Sequence, residues 1–293
     1  MSRLPATKSG TYMAAFRALE STKPEKERLF QDPFATVFLS KFYQLLLACC
    51  SISLFRKLVM AAIQLRWPGT FTSGVARTKL IDDMIIDAVR NDGINQVIIL
   101  NATFDTRAHR LNIGMPLHYV EMDHPELQHR KRTRLATIKG LPQVPIDYVQ
   151  LDMNTQQISD VIPQLFYRDH YKTLFIWEAL TTELEARLGT TIFHHVREYN
   201  PGTQIILSYV DKAVIDNPAA FYGANKVKRL LSRAGEDWDF GMDPKVLRDY
   251  LEAHNLVVRY EGGAADYRRQ YFGDKSASMK GHEYLRVIRA EVK

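Results

Sequence analysis

The chain has 293 residues, 46% of them hydrophobic and 25% charged, with a formal net charge of +6. Those proportions describe an ordinary globular protein with one large core, or a core and a subdomain, and exclude a disordered or fibrous chain. The two cysteines, adjacent Cys49 and Cys50, offer neither a disulfide framework nor a metal site and point to a reducing, cytoplasmic setting.

Residues 1–75 predict a mainly helical N-terminal cap, with no leader-like order of charge, apolar run and small residues at its start. Within it, Phe42–Phe55 is apolar but is cut by Arg56-Lys57 and is too short to span a bilayer. It reads as a buried or lid-type helix, with membrane-surface contact as the minor alternative.

From about residue 80 helices and strands alternate. Leu80–Asn91 predicts a helix, since Ile81, Met84, Ile85, Ala88 and Val89 recur at three- and four-residue spacing before Asn91-Asp92-Gly93 stops it. Strands are expected at Gln96–Leu100, Leu117–Met122, Ile146–Leu151, Thr173–Trp177 and Gln204–Tyr209. Helices are expected from Pro125 to about Lys139, from the third strand to about Tyr167, and over Thr182–Tyr199. The run Arg130-Lys131-Arg132 with Arg134 lacks interleaved aromatics, so it predicts a solvated helix face rather than a nucleic-acid surface. Pro244–His254 reads as helix, and Val257–Glu261 with Tyr284–Val292 as an antiparallel end. The rhythm predicts an α/β fold over residues 76–293 with a doubly wound, mainly parallel sheet and an insert near 212–241.

An open parallel sheet binds ligands at the carboxyl ends of its strands. Those ends are Asn101-Ala102-Thr103 with Asp105-Thr106, Glu121-Met122-Asp123, Asp152-Met153-Asn154, Trp177-Glu178, and Ser208-Tyr209 with Asp211. An adenosine ligand with a charged tail gives them work. Asp123 stands about 20 residues beyond the first turn, where a carboxylate takes the ribose hydroxyls. Asp152 and Met153 suit an adenine amine and ring face. Glu178 can face a cation. At any single position the alternative is an N-cap of the following helix. A dinucleotide needs glycines in the first turn for its pyrophosphate, and here they are absent. S-adenosyl-L-methionine has no phosphate and fits better. The histidines show no metal-ligand spacing, so no metal centre is expected.

Several stretches together resemble the leucine carboxyl methyltransferase-like family of class I S-adenosylmethionine-dependent methyltransferases, and within it a bacterial natural-product O-methyltransferase branch. They are Phe16-Arg17-Ala18-Leu19-Glu20-Ser21, Leu29-Phe30-Gln31-Asp32-Pro33-Phe34-Ala35, Ala76-Arg77-Thr78-Lys79, Phe104-Asp105-Thr106-Arg107-Ala108-His109-Arg110-Leu111, Val120-Glu121-Met122-Asp123-His124-Pro125, Trp177-Glu178-Ala179-Leu180 and Phe240-Gly241-Met242-Asp243-Pro244. The resemblance implies a Rossmann-like seven-stranded sheet, S-adenosyl-L-methionine as cofactor and O-methylation of a small-molecule hydroxyl or carboxylate. It implies that Arg77 pairs with the cofactor carboxylate and that Asn101, Ala102 and Thr103 lie under the methionine tail, with Asp105 in support. Asp123 would hold the ribose, Asp152 with Met153 the adenine, and Glu178 would line the reaction centre. Lys8 and Thr11 would close over the cofactor. The family usually carries Gly-Ala-Gly where this chain has Asn101-Ala102-Thr103, so either Thr103 has ordinary backbone angles or cofactor binding is weakened.

A carboxylate acceptor needs no base, whereas a hydroxyl benefits from one. His124 and Tyr209 are the candidates nearest the strand ends. Phe221, Tyr222, Trp238, Tyr267, Tyr271 and Phe272 would make an aromatic acceptor pocket if they converge. Methylation of a protein carboxyl terminus, and a non-catalytic interaction protein, are the competing readings.

Overall fold

A computed structural model describes residues 8–152, 155–156, 160–161, 171–180, 192–233 and 240–293. The expected helix between the third and fourth strands, most of Thr182–Tyr199, Met153 and Trp238 lie outside the described residues.

Seven strands form one sheet: β1 (Gln96–Leu100), β2 (His118–Asp123), β3 (Ile146–Gln150), β4 (Thr173–Leu180), β5 (Gln204–Val210), β6 (Leu256–Gly263) and β7 (Leu285–Val292). Their order is β3-β2-β1-β4-β5-β7-β6. The first five are parallel, and β7 runs antiparallel between β5 and β6. This is the mainly parallel, doubly wound sheet with an antiparallel end that the alternation predicts. Every residue of β1 is buried, as a strand covered on both faces requires. Leu100 registers with Met122 on one side and Trp177 on the other, so strand order reverses at β1 and a crevice opens above it.

The helices before and around that crevice are α1 (Lys8–Ser21), α2 (Lys41–Cys49), α3 (Ser53–Arg66), α4 (Thr70–Asn91), α5 (Arg107–Arg110) and α6 (Pro125–Leu135). One face of the sheet packs Val97, Ile99, Ile176 and Ile206 under α4 and the helix Ala264–Phe272. The other packs Ile98, Leu100, Phe175 and Leu207 under residues 192–196 and the helix Pro244–Ala253. A third cluster joins α1 to the sheet domain: Phe38 stacks on Phe104 at 4.6 Å between centroids, and Phe16 meets Phe71 edge-on at 5.7 Å.

Three local expectations change. Helix α4 starts at Thr70, ten residues ahead of the periodic segment, because its first half also buries Ser73, Arg77 and Thr78 and so reads as polar. Phe42–Phe55 is not one buried helix: α2 ends at Cys49, and the Arg56 guanidinium holds the break by donating to the Cys50 and Thr22 carbonyls, each at 3.1 Å. Phe42, Tyr43, Leu45, Ile52 and Leu54 are exposed. Third, the basic run on α6 is only partly solvated. Lys131 is buried with its Nζ 2.6 Å from Glu121, and Arg130 and Arg132 lie over the rings of Phe104 and Tyr148.

Candidate active site

The crevice floor is the turn after β1. Asn101 has φ +54° and Thr103 φ +31°, so both enter the left-handed region. Asn does so cheaply; a β-branched residue does not. The ordinary-angle alternative for Thr103 is therefore excluded. Two contacts hold the turn. The Ala102 amide donates to the Met122 carbonyl at 3.2 Å, and the Thr103 amide donates to Asp123 Oδ2 at 2.5 Å. Above it, α1 comes close enough that a Cβ on Gly10 would sit 2.9 Å from Thr103 Cγ2.

Asp123 ends β2 and is 5% exposed. Its second oxygen accepts from the His124 amide at 2.7 Å. Burial pushes its carboxyl up from the ordinary value, and the two amide bonds oppose that shift. Each oxygen keeps acceptor capacity for a diol. His124 is the N-cap of α6, its Nδ1 accepting from the Glu126 amide at 3.3 Å, and its Nε2 lies 3.9 Å from Asp152 Oδ2. The ends of β2 and β3 thus place Asp123, His124 and Asp152 on one side of the turn.

On the other side lies a chain of buried ion pairs. Asp32 takes Arg17 Nε at 2.8 Å and the Thr106 hydroxyl at 2.6 Å. Arg110 lies 3.9 Å from Asp32 and forks onto Asp82 at 2.6 and 2.8 Å. Arg107 contacts Asp82 at 2.8 Å, Asp105 at 2.5 Å and Glu178 at 2.7 Å. Glu178 completes the chain with Arg77 Nε at 3.3 Å. Arg17, Arg77, Arg107 and Arg110 balance Asp32, Asp82, Asp105 and Glu178. Burial works against the Arg107 cation, but Asp105, Glu178 and Asp82 outweigh it. Burial also opposes the Asp105 anion, yet Arg107 leads the charges that hold its carboxyl well below the usual range. Asp105 caps the Arg107 amide at 2.7 Å, so it braces the turn from behind.

Arg77 projects from the first half of α4 and is 6% exposed. Its Nε has no hydrogen-bond partner despite the nearby Glu178. A buried guanidinium with an unmet donor suits a carboxylate ligand, which it can grip bidentately.

Because β7 is antiparallel to β5, the residues before it arrive at the same end of the sheet. The left-handed Gly281 packs back to back with the left-handed Gly69 at the start of α4, and a Cβ on either would collide with backbone. His282 follows, half-buried with its Nε2 out of contact with solvent, and its imidazole is pushed down to about 3 by loss of solvent and by Arg77 and Arg268. Tyr267 donates to the Leu285 carbonyl at 3.1 Å and lies 3.3 Å from the Ser73 hydroxyl, one turn before Arg77.

Of the cofactor residues named from the sequence, the structure gathers Arg77, Asn101, Ala102, Thr103, Asp123, Asp152 and Glu178 at the crevice, sets Asp105 behind the turn against Arg107, and leaves Met153 outside the described residues. Tyr209 stands apart: it is buried on the opposite sheet face, its hydroxyl donating to Glu261 at 3.1 Å, and burial pushes its phenol up. Among the described residues the expected aromatic lining converges only in part: Tyr267 stands by Ser73 near Arg77, and the others do not join it in one pocket wall. Phe221 packs on Tyr284, Tyr222 is exposed, and Tyr271 donates to Asp83 at 2.9 Å. Sequence reasoning gave no role to Arg107, Asp82 or His282. For Arg107 the signal was present, since a cation two residues after Asp105 on a one-turn helix must find partners once that helix is buried.

The leucine carboxyl methyltransferase family profile matches residues 10–196. A Mycobacterium marinum protein carrying the name of a candidate S-adenosyl-L-methionine-dependent methyltransferase is 28% identical over 191 residues, 62% of this chain and 61% of its own length. A Mycolicibacterium smegmatis protein of like name is 30% identical over 151 residues, 50% of this chain and 46% of its own length. The chain thus matches about half to three fifths of these curated relatives. In fold it is similar to a family protein of Streptomyces avermitilis (TM-score 0.58, 11% identity, 96% of this chain and 97% of that one). It is also similar to a protein of Thermobifida fusca titled as a candidate methyltransferase (TM-score 0.54, 12% identity, 100% and 99%). The profile covers more than half of a chain whose sheet has the class I methyltransferase form, and the chain belongs to the leucine carboxyl methyltransferase family.

Proposed function

We propose that the protein is an S-adenosyl-L-methionine-dependent methyltransferase whose acceptor atom is a carboxylate oxygen of a small molecule of natural-product type. The observation that carries the cofactor reading is Arg77, buried with an unsatisfied Nε beside the turn after β1. Arg77 would hold the cofactor carboxylate, the Asn101–Thr103 backbone would lie under the amino-acid tail, and Asp123 would take the ribose hydroxyls. Asp152 would face the adenine amine.

Bound there, the cofactor would supply an electrophilic methyl on a sulfonium, from which an acceptor oxygen would take the methyl in line as the C–S bond breaks and a neutral thioether leaves. The protein's share is alignment and exclusion of water. Glu178, shared between Arg77 and Arg107, sets an anion near the cationic end of the cleft. His282 stays neutral down to about 3 and burial pushes the Tyr267 phenol up, so neither is tuned to take a proton near pH 7. His124, the base candidate that does lie in the crevice, is engaged through Nδ1 as the N-cap of α6 and faces Asp152 through Nε2. A carboxylate acceptor is already ionised and needs no such group.

Titration calorimetry with S-adenosyl-L-methionine and S-adenosylhomocysteine tests the cofactor reading; the expected result is one site per chain for each. Absence of heat with both would overturn it. Transfer of labelled methyl from the cofactor to acceptors in a producer extract tests the acceptor. A methyl ester releases volatile methanol in mild base, and a base-stable label would replace the carboxylate reading with a hydroxyl one.

A further inference from the structure

The two helices α2 and α3 are apolar on both sides. Their inner sides supply Leu47, Phe55, Val59 and Ile63 to the cluster under α1. Their outer sides remain open: Leu54, Leu58 and Leu65, at i, i+4 and i+11 on α3, are 70%, 60% and 77% exposed, and Phe42 and Leu45 on α2 are 68% and 67% exposed. Scattered exposed apolar residues need no explanation, but a stripe along a helix with its neighbour presenting the same character does.

Charge says what covers it. No Asp or Glu occurs between Asp32 and Asp82, and within that span Lys41, Lys57 and Arg66 are exposed beside the apolar stripe. The surface continues onto the helix Ala224–Ser232. Lys226 of that helix donates to the Leu65 carbonyl at 2.5 Å, and Gly223 abuts Pro68. This second segment is also free of acids, from Asn217 to Gly235, and contributes Lys228, Arg229, Arg233 and the exposed Tyr222. Trp67, with Arg66 5.9 Å from its ring, stands at the junction. Along both segments the leucines and aromatics are interspersed only with cations, and the exposed Glu27 approaches this face at the start of α3, 4.0 Å from Arg56. Apolar residues among cations are the composition of a helix lying in the interface of an anionic bilayer. A second copy of the same face would bring like charges together. Among the described residues no helix is long and apolar enough to cross a membrane, and α3 has 14 residues, so the contact is with the surface.

We propose that the α2–α3 helices and the adjoining segment around Tyr222–Arg233 form a docking face for an anionic lipid bilayer, with Phe42, Leu45, Leu54, Leu58 and Leu65 entering the boundary between headgroups and acyl chains. The face lies outside the residues assigned to the cofactor, so docking stands whether or not the methyltransferase reading does.

Vesicle sedimentation of the purified chain tests it, using phosphatidylcholine alone and phosphatidylcholine mixed with phosphatidylglycerol, with light scattering to give the mass in solution. The expected result is a monomer that binds the mixed vesicles about tenfold or more better than the neutral ones. Leu54→Ser with Leu58→Ser abolishes capture, and Lys41→Glu with Lys57→Glu removes the anionic preference, both with unchanged thermal midpoints. Equal binding to both vesicles, or capture by neither, overturns the proposal. A dimer dissolved by the leucine variant overturns it too and gives the face to a second copy.

Discussion

Gly10 and Thr103 occupy each other's space: a Cβ on Gly10 would come within 2.9 Å of Thr103 Cγ2, and Thr103 itself sits at φ +31°. The helix that crosses the turn is thereby matched to the side chain standing in the turn. In an exposed helix Gly→Ala gains roughly 0.5–1 kcal/mol. At this position the overlap reverses the sign. Gly10→Ala alone is expected to destabilise by about 1–2 kcal/mol, and the same change in a Thr103→Gly background is expected to stabilise. A double-mutant cycle by urea denaturation measures the coupling, and additivity within about 0.5 kcal/mol would show that the two residues do not share space.

Thr103 also bears on cofactor affinity. Backbone strain already present without ligand does not change affinity, but Thr103→Gly also removes the side chain that stands between the turn and Gly10 of α1. Clearing that space over the crevice floor is expected to tighten S-adenosyl-L-methionine binding several-fold. Calorimetry checks this. Looser binding by the glycine variant would mean that the threonine side chain contributes a contact of its own.

The fold was legible because burial leaves a periodic trace: β1, buried on both faces, reads as an unbroken apolar run, and the polar strand ends mark the crevice. Charge-bearing burial leaves no such trace. Arg77 and Ser73 interrupt the apolar pattern of α4, so its first ten residues looked unlike helix core. The Arg107–Asp82 and Arg110–Asp82 contacts join residues 25 and 28 apart, and spacing cannot pair them. The antiparallel end was legible, but His282 reaches the site because β7 inserts between β5 and β6, and that strand order is a tertiary choice with no local signal. The stretch from Phe42 to Phe55 misled because apolar content implies burial only where a partner surface exists.

Arg77 is expected to read the carboxylate of the cofactor. The wild type should therefore prefer S-adenosyl-L-methionine over its decarboxylated analogue, which keeps the sulfonium and the adenosine. Arg77→Lys retains the charge but loses the planar fork, and is expected to narrow that preference about tenfold or more. Competition binding with the two ligands gives the ratio. An unchanged ratio in the variant would remove Arg77 from the carboxylate site.

Asp82 neutralises two buried guanidiniums, Arg107 and Arg110, whose side chains are 5% and 3% exposed. Removing one member of a buried ion set leaves the others uncompensated, at a cost of about 3–5 kcal/mol. Asp82→Ala is expected to lose that much in urea denaturation, and Asp82→Asn less, because its amide oxygen still accepts one guanidinium. A loss below about 1 kcal/mol for the alanine variant would place these arginines in contact with water.

His282 makes stability fall on the acid side before the carboxylates do. Its imidazole is lowered from 6.5 to about 3 in the folded chain, first by burial and then by Arg77 and Arg268. Above pH 6.5 it is neutral whether the chain is folded or not, and contributes no pH dependence. Between 6.5 and about 3 the unfolded chain takes a proton that the native one refuses, so stability rises with pH and is lost as pH falls through this window. At pH 5 the loss is about 2 kcal/mol relative to pH 7. Asp32 and Asp105, both lowered from 3.8, start to contribute only near and below that value. His109, lowered from 6.5, and Glu121 and Asp123, raised from 4.5 and 3.8, also titrate in or beside this window, so the histidine is isolated by comparing two chains and not by pH alone. His282 has φ +65°, which Asn accepts at little cost, so His282→Asn removes the imidazole without straining the backbone. The variant is expected to lose about 2 kcal/mol less than the wild type between pH 7 and pH 5 in paired urea titrations. The other histidines act in both chains and cancel in the difference. Equal losses in the two proteins would mean that His282 takes its proton in the folded state, and the cationic surroundings of Arg77 would need redrawing.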